Sequence, residues 1–310
     1  MLASVITLLV TVLVAIGIRE SARANATLVG VQIVAMIVFV VALVPFIHPA
    51  NLHPFAPFGW HGVVVSASLV FFAYIGFDTV TVASEEAHRP ERDVPIGIIL
   101  SLIIGVILFC TIAYVTAGSL SYLKYTGDGG AAMTDAVAAN IRNPWLIAVV
   151  GIGGIAGNFT VMLTSLLGQI RIFYVMARDR MLPPGVATIH PRFRTPARMT
   201  FVTGAVVAVL AAVLPLTDLL NFVNIGTLAA FAIVCAGVLV LRIVRPDARR
   251  PFKAPLAPIF TIFGALGCAG LTAFFPWPTW ARFGIWFALG IAVYVTYGYR
   301  HSRLKGQSPG

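Results

Sequence analysis

The residue with the most chemistry to offer stands where an apolar chain tolerates it least. In "FFAYIGFDTVTVASEEAHRPERDVP", residues 71–95, the carboxylate of Asp78 follows Gly76 by two positions inside an otherwise apolar run. An ion left in hydrocarbon is costly, so such a residue either belongs to a site or has a dedicated partner. Gly76 supports a site: glycine weakens a helix by about 1 kcal/mol against alanine, and a break at depth frees backbone carbonyls to face a cavity. Carbonyls and a carboxylate at one break suit a cationic group such as an ammonium. The plainer reading is that Asp78 caps the helix that restarts after Gly76, or hydrogen-bonds a neighbouring segment. Both stay open at this point.

Other chemistries lack their parts. Of the 11 acids, Asp78 alone lies within an apolar stretch, so an aspartyl enzyme has no second carboxylate with which to share a proton. There is no H-E-x-x-H pair and no serine–base arrangement. Cys110, Cys235 and Cys268 lie singly in separate apolar stretches, without a C-x-x-C pair, and read as small hydrophobes. His48, His53 and His61 sit near prolines at spacings unlike a helical ligand pair, so no metal and no cofactor is expected. Glu85, Glu86, His88, Arg89, Glu91, Arg92 and Asp93 read as a solvated mixed-charge loop. Asn158, Thr160 and Thr164 in one apolar stretch, and Asn221, Asn224 and Thr227 in another, read in the first instance as helix-to-helix hydrogen bonders.

The elements that must position these residues follow from composition. The chain is 59% hydrophobic and 10% charged, with mean hydropathy +0.95, against about 25% charged residues in an ordinary soluble domain. Apolar stretches near membrane-crossing length run over 2–18, 27–47, 62–84, 95–118, 145–170, 199–216, 219–241, 256–275 and 280–299. They predict an all-α polytopic membrane protein with nine spans. Placing the first span's start outside puts 18 of the 21 basic residues on the inner side, leaving Lys124, Arg142 and Arg282 outside. The positive-inside rule therefore predicts an outer N-terminus and a cytoplasmic C-terminus. The net charge of +10 is divided among short loops instead of forming one basic stripe, which excludes a nucleic-acid partner. Between Ser121 and Pro144 an Ala-rich piece predicts a short outer helix. Met1 leads directly into an apolar run with no positive lead and no small-residue cleavage site, so a cleaved signal is not expected, and the sequence reads as though it starts mid-pattern.

"FFAYIGFDTVTVASEEAHRPERDVPIGIILSL" resembles the sixth span and following loop of amino acid permeases of the amino acid–polyamine–organocation superfamily, close to the bacterial cationic amino acid transporter branch. "GIRESARAN", "LLGQIRIFYVMARDRMLPP" with "HPRFRTP", "NIGTLAAFAIVCAGVLVLR" and "WARFGIWFALGIAVYVTYGYRHS" resemble later segments of that family in the same order. The resemblance implies a LeuT-type fold of two inverted five-span repeats with broken helices at the substrate. In this chain it implies two remaining spans of the first repeat (1–61), a complete second repeat (62–241), and two C-terminal spans with a tail (242–310). About three family spans would precede the matched region, so these 310 residues alone are expected not to transport.

The resemblance also implies site residues. Phe72, Ala73, Tyr74, Ile75 and Gly76 would form the break, with carbonyls near 73–75 taking an ammonium, Phe72 closing over it as an aromatic gate, and Asp78 just beyond. Asn158, Thr160 and Thr164 would face it. The position at which relatives commonly carry a coupling lysine is Gln32 here, which cannot titrate, so Asp78 is the substitute to test. The implied function is secondary transport of L-amino acids, cationic or small neutral, across the cell membrane, with the amino acid, the bilayer and a coupling proton as partners. A non-transporting remnant or assembly partner is the alternative, and an intramembrane enzyme a more distant one.

Overall fold

The computed structural model describes residues 2–16, 21–77, 89–125, 132–183, 185, 188, 190, 195–247 and 256–301. The described residues form ten principal helices: α1 (Leu2–Ile16), α2 (Ser21–Leu43), α3 (Gly59–Val70), α4 (Pro90–Ser119), α5 (Ala132–Asn140), α6 (Pro144–Arg178), α7 (Ala197–Val213), α8 (Leu216–Val244), α9 (Ala257–Thr272) and α10 (Trp277–Val293). A π-helical turn, Tyr294–Gly298, continues α10. No strand occurs among the described residues.

Five of these segments are long and apolar enough to cross a membrane: Asn25–Phe46, Pro90–Ser119, Pro144–Arg178, Leu216–Val244 and Trp277–His301. Four shorter apolar helices, Ala3–Ile16, Gly59–Tyr74, Ala197–Val213 and Ala257–Thr272, coincide with the other four apolar stretches. The predicted Ala-rich helix is α5. Much of the apolar surface faces outward: Val209, Ile243, Phe263 and Ile285 are each more than 60% exposed, as lipid-facing side chains must be.

Local chemistry sets the helix boundaries. α4 starts earlier than apolarity alone predicts, because Pro90 occupies its first turn and Glu91 and Asp93 stabilise the positive end of its dipole. Those two acids are therefore helical, not loop residues. α6 starts at Pro144 behind Asn143, whose side chain accepts from the Trp145 amide at 3.0 Å. Asp218 in the first turn of α8 pairs with Arg282 of α10 at 3.0 Å.

The packing runs in seams. α1 packs against α7 and α6, α2 against α6 and α4, and α8 against α9, α10 and α3. One buried cluster joins Phe39, Leu43, Val115, Ala136, Val137 and Val150, tying α2, α4, α5 and α6 together. Another joins Ile225, Leu228 and Phe275 to Phe71 and Leu271.

The last carbonyls of α4 lack helical partners, as at any helix end, and side chains from outside the helix supply them. Asn51 Nδ2 donates to Gly118 O at 2.8 Å, Asn140 Nδ2 to Ser119 O at 3.1 Å and Tyr125 Oη to Thr116 O at 2.7 Å. The His48 amide also donates to Gly118 O, at 3.0 Å. One end of the bundle is thereby closed by a small polar cap.

Candidate functional site

Within the third apolar stretch the α-helix stops at Val70, and residues 78–84 of the stretch lie outside the described residues. After α3 the chain tightens into a 3-10 turn, Phe71–Tyr74; the Ile75 amide donates to Phe72 O at 3.2 Å, and Ile75 is extended. Gly76 follows at φ +123°, a conformation L side chains rarely adopt. The sequence-predicted residues thus fall on one continuous turn. Phe72 is 42% exposed and Ala73 is exposed, while Tyr74, Ile75 and Gly76 are half-buried. Asp78 lies outside the described residues.

What holds the break is an amide and three ring contacts. Asn224 on α8 is fully buried, and its Nδ2 lies 3.1 Å from Ser68 O and 3.3 Å from Leu69 O, clasping carbonyls of the last turn of α3. Its Oδ1 is buried with no hydrogen-bond partner among the described residues. Phe231 of α8 meets Phe71 edge-on at 6.1 Å between centroids and Phe77 at 5.2 Å, and Tyr74 meets Phe109 of α4 edge-on at 5.5 Å. The sequence places Asn224 among helix-bridging side chains. That its partners are the carbonyls preceding the break emerges only in three dimensions, across 155 and 156 positions of chain.

Gln32 and Asn158 meet elsewhere, at the α2–α6 seam. They line a cavity of about 290 Å³ together with Met36, Met133, Thr134 and Gly154. Gln32 lies directly over Gly157, where an added Cβ would come 2.5 Å from its amide nitrogen. Thr160 is buried and its hydroxyl has no hydrogen-bond partner among the described residues, and Thr164 Oγ1 donates within α6 to Thr160 O at 2.9 Å. The main packing of α6 is against α2, α1, α5 and α7, whereas that of the break is against α8. The structure therefore brings Gln32 and Asn158 together and leaves Phe72 in a separate neighbourhood. The signal for the seam lies in "GIGGIAGN", where Gly153 and Gly157 form a small-xxx-small pair that lets backbones approach.

With break and seam described, relatives can be set beside them. The amino acid permease family model matches residues 1–299. The chain belongs to the amino acid permease family. It is 37% identical over 304 residues to the branched-chain amino acid permease BcaP of Bacillus subtilis (strain 168), covering 98% of this chain and 65% of that protein. It is 39% identical over 306 residues to the methylthioribose transporter of the same organism, again covering 98% and 65%. A vacuolar cationic amino acid transporter 4 of Arabidopsis thaliana is 34% identical over 254 residues, covering 79% of this chain and 41% of the plant protein. This member of the family thus spans 65% of the length of the two bacterial relatives. The family consists of transporters, so the enzyme reading of Asp78 falls, and the family together with the apolar helices makes this a multi-pass membrane protein.

Proposed function

We propose that this chain forms the substrate path of a secondary transporter for L-amino acids, cationic or small neutral, working by alternating access across the cell membrane. The observation that carries the reading is the interruption of α3 at Phe71–Gly76, in a chain matched by the amino acid permease family along 1–299. A broken helix can offer backbone carbonyls that a continuous one keeps for itself. Carbonyls near Ala73 to Ile75 receive the ammonium, and the exposed ring of Phe72 closes over the substrate. Asp78 orients the break or selects the side chain. Asn158, Thr160 and Thr164 of α6 stand at the seam apart from Phe72, and they join the substrate path in a state of the transport cycle that brings α6 opposite the break.

The nine apolar segments are nine spans in a LeuT-type arrangement, with residues 62–241 as one inverted repeat, 1–61 before it and 242–310 after it. The N-terminus faces outward and the C-terminus the cytoplasm, a placement that the distribution of Lys and Arg supports. Gln32 occupies the coupling position as a neutral amide, so any proton is carried by Asp78.

Uptake by the protein expressed from its native coding region tests the reading. Phe72→Ala lowers amino acid uptake about tenfold by removing the aromatic closure, whereas Val209→Ala, on an exposed face, leaves it unchanged. Branched-chain and cationic amino acids and methylthioribose are compared as cargo, and uptake of methylthioribose alone would replace the amino acid assignment. Gln32→Lys steepens the dependence on external pH. If uptake followed an imposed proton gradient and survived Asp78→Asn, neither Gln32 nor Asp78 would be the coupling group.

A further inference from the structure

Cys235 and Cys268 stand in separate apolar stretches of the sequence, yet the fold brings them to one seam. Cys235 lies on α8 and Cys268 on α9, two helices packed along one another. A Cβ added to Gly264 of α9 would come 3.1 Å from Cys235 Sγ, and Cys268 follows Gly264 by four positions, one turn along the same face. We propose that the two thiols form a site for a soft divalent metal ion, with the mercuric ion as its type ligand.

Depth along the helices agrees with the register that Gly264 sets. Cys235 lies nine residues before the end of α8 at Val244, about 14 Å at ~1.5 Å per residue. Gly264 and Cys268 lie seven and eleven residues after the start of α9 at Ala257, about 10 and 16 Å. Cys235 is thus level with the turn between the other two. Side chains lean toward the N-terminus of their own helix, so on consecutive helices that run in opposite directions the two sulfurs lean toward each other. They are close enough for charge on one to act on the other. Both are free and half-buried.

Chemistry selects the ion. Cβ positions one turn apart on a helix are separated by ~5–6 Å, a gap suited to two bonds of ~2.3 Å to a shared ion more than to one S–S bond of ~2.05 Å. Thiolates select soft ions. A monovalent ion between two thiolates leaves a negative charge in an apolar seam, whereas a divalent ion leaves none. Zinc completes a tetrahedron of four ligands, and among the described residues no group of three or more His, Cys, Asp or Glu could hold it. Mercuric ion needs only two sulfurs in line. It enters as the neutral dichloride; two S–H bonds break, two Hg–S bonds form, and two protons and two chlorides leave. The seam adjoins the break: Phe231, one turn before Cys235, meets Phe71 and Phe77, and Cys268 packs against the cluster that holds Phe71. A bridged ion therefore ties α8 to α9 beside that turn. The inference requires neither the proposed substrate nor the transport cycle.

Intact-mass spectrometry of the purified chain, loaded in mild detergent, tests it, with mercuric chloride as the probe and excess monothiol as the competitor. The parent retains one mercury and loses two protons, an increment that a single-thiol adduct, with one proton lost, does not give. Cys235→Ala and Cys268→Ala each lower the monothiol concentration that strips the ion about a hundredfold, as loss of one arm of a two-armed site does. Cys110→Ala leaves retention unchanged, because Cys110 stands exposed on α4. Where an alanine variant fails to fold, the corresponding serine variant and the parent's proton count decide. One proton lost per ion, retention indifferent to Cys235→Ala or Cys268→Ala, or retention abolished by Cys110→Ala would overturn the proposal.

Discussion

At the α2–α6 seam a Cβ added to Gly153 would collide with the Cβ of Ala35, and one added to Gly157 would come 2.5 Å from the Gln32 side chain. At the α3 break a Cβ added to Gly76 would meet nothing within 4 Å, yet Gly76 sits at φ +123°. The seam uses glycine for space and the break uses it for conformation. The two regions are also held differently. The seam is backbone against backbone, with Gln32 and Asn158 admitted beside a cavity, whereas the break is clasped by one buried amide and a shell of rings. At Gly153 and Gly157, where the two helices touch, there is no room for an added atom. A region held by one amide and a few ring contacts can change shape when the amide loses its grip.

The largest effect expected from this comparison is at the seam. Gly153→Leu forces α2 and α6 apart and lowers stability by about 3 kcal/mol, the upper range for overpacking. Gly154→Ala, with nothing within 4 Å, gains up to about 1 kcal/mol from helix propensity. Unfolding midpoints in mild detergent distinguish the two, and equal midpoints would show that the seam is not close-packed.

Next comes the clasp. Asn224→Leu leaves the Ser68 and Leu69 carbonyls without their donor in a buried place, a loss of about 2 kcal/mol. Asn224→Asp does worse, because an ionised carboxylate there faces two carbonyl oxygens without solvent. If the break depends on the clasp, Asn224→Leu also raises hydrogen exchange of the Ile75 amide. Unchanged exchange would make Asn224 a packing residue only.

A smaller effect is expected at the break itself. Gly76→Ala costs about 1.5 kcal/mol through backbone strain, although space is available. A neutral result would mean the turn does not hold its positive φ. Set beside Gly153→Leu, Gly76→Ala separates the two uses of glycine.

Much of this was legible in the sequence. The nine apolar stretches coincide with nine helices because side-chain hydropathy is a local property, and Gly76 announced the break because no other residue accepts its φ so readily. Pairings were less visible. Gln32 and Asn158 were read from the family pattern as separate features, and their common cavity depends on which face of α2 meets α6. That in turn depends on Gly153 and Gly157, whose spacing is written in "GIGGIAGN" but whose partner is not. The early start of α4 was hidden by the charges of Glu91 and Asp93, which resemble a loop to a hydropathy reading and serve the helix dipole in the fold.

The smallest effect concerns the polar cap, which is unlike both the seam and the break in that side chains of Asn51, Tyr125 and Asn140 close a helix end. Tyr125 Oη donates to Thr116 O at 2.7 Å. Burial pushes its phenol above the ordinary tyrosine value, the charge of Asp135 adds to this, and the Ser119 hydroxyl offsets part of it. A raised folded-state pKa means the native state keeps a proton that the unfolded state has lost. The stabilisation is therefore fully present below the unfolded value of about 10 and fades as pH rises through the folded value. Tyr125→Phe removes the hydrogen bond and costs about 1 kcal/mol at neutral pH. It also removes this group's alkaline loss, so the unfolding midpoints of the parent and Tyr125→Phe converge above about pH 10. Parallel pH profiles for the two proteins would show that Tyr125 does not hold the end of α4 and that Asn51 and Asn140 close the cap without it.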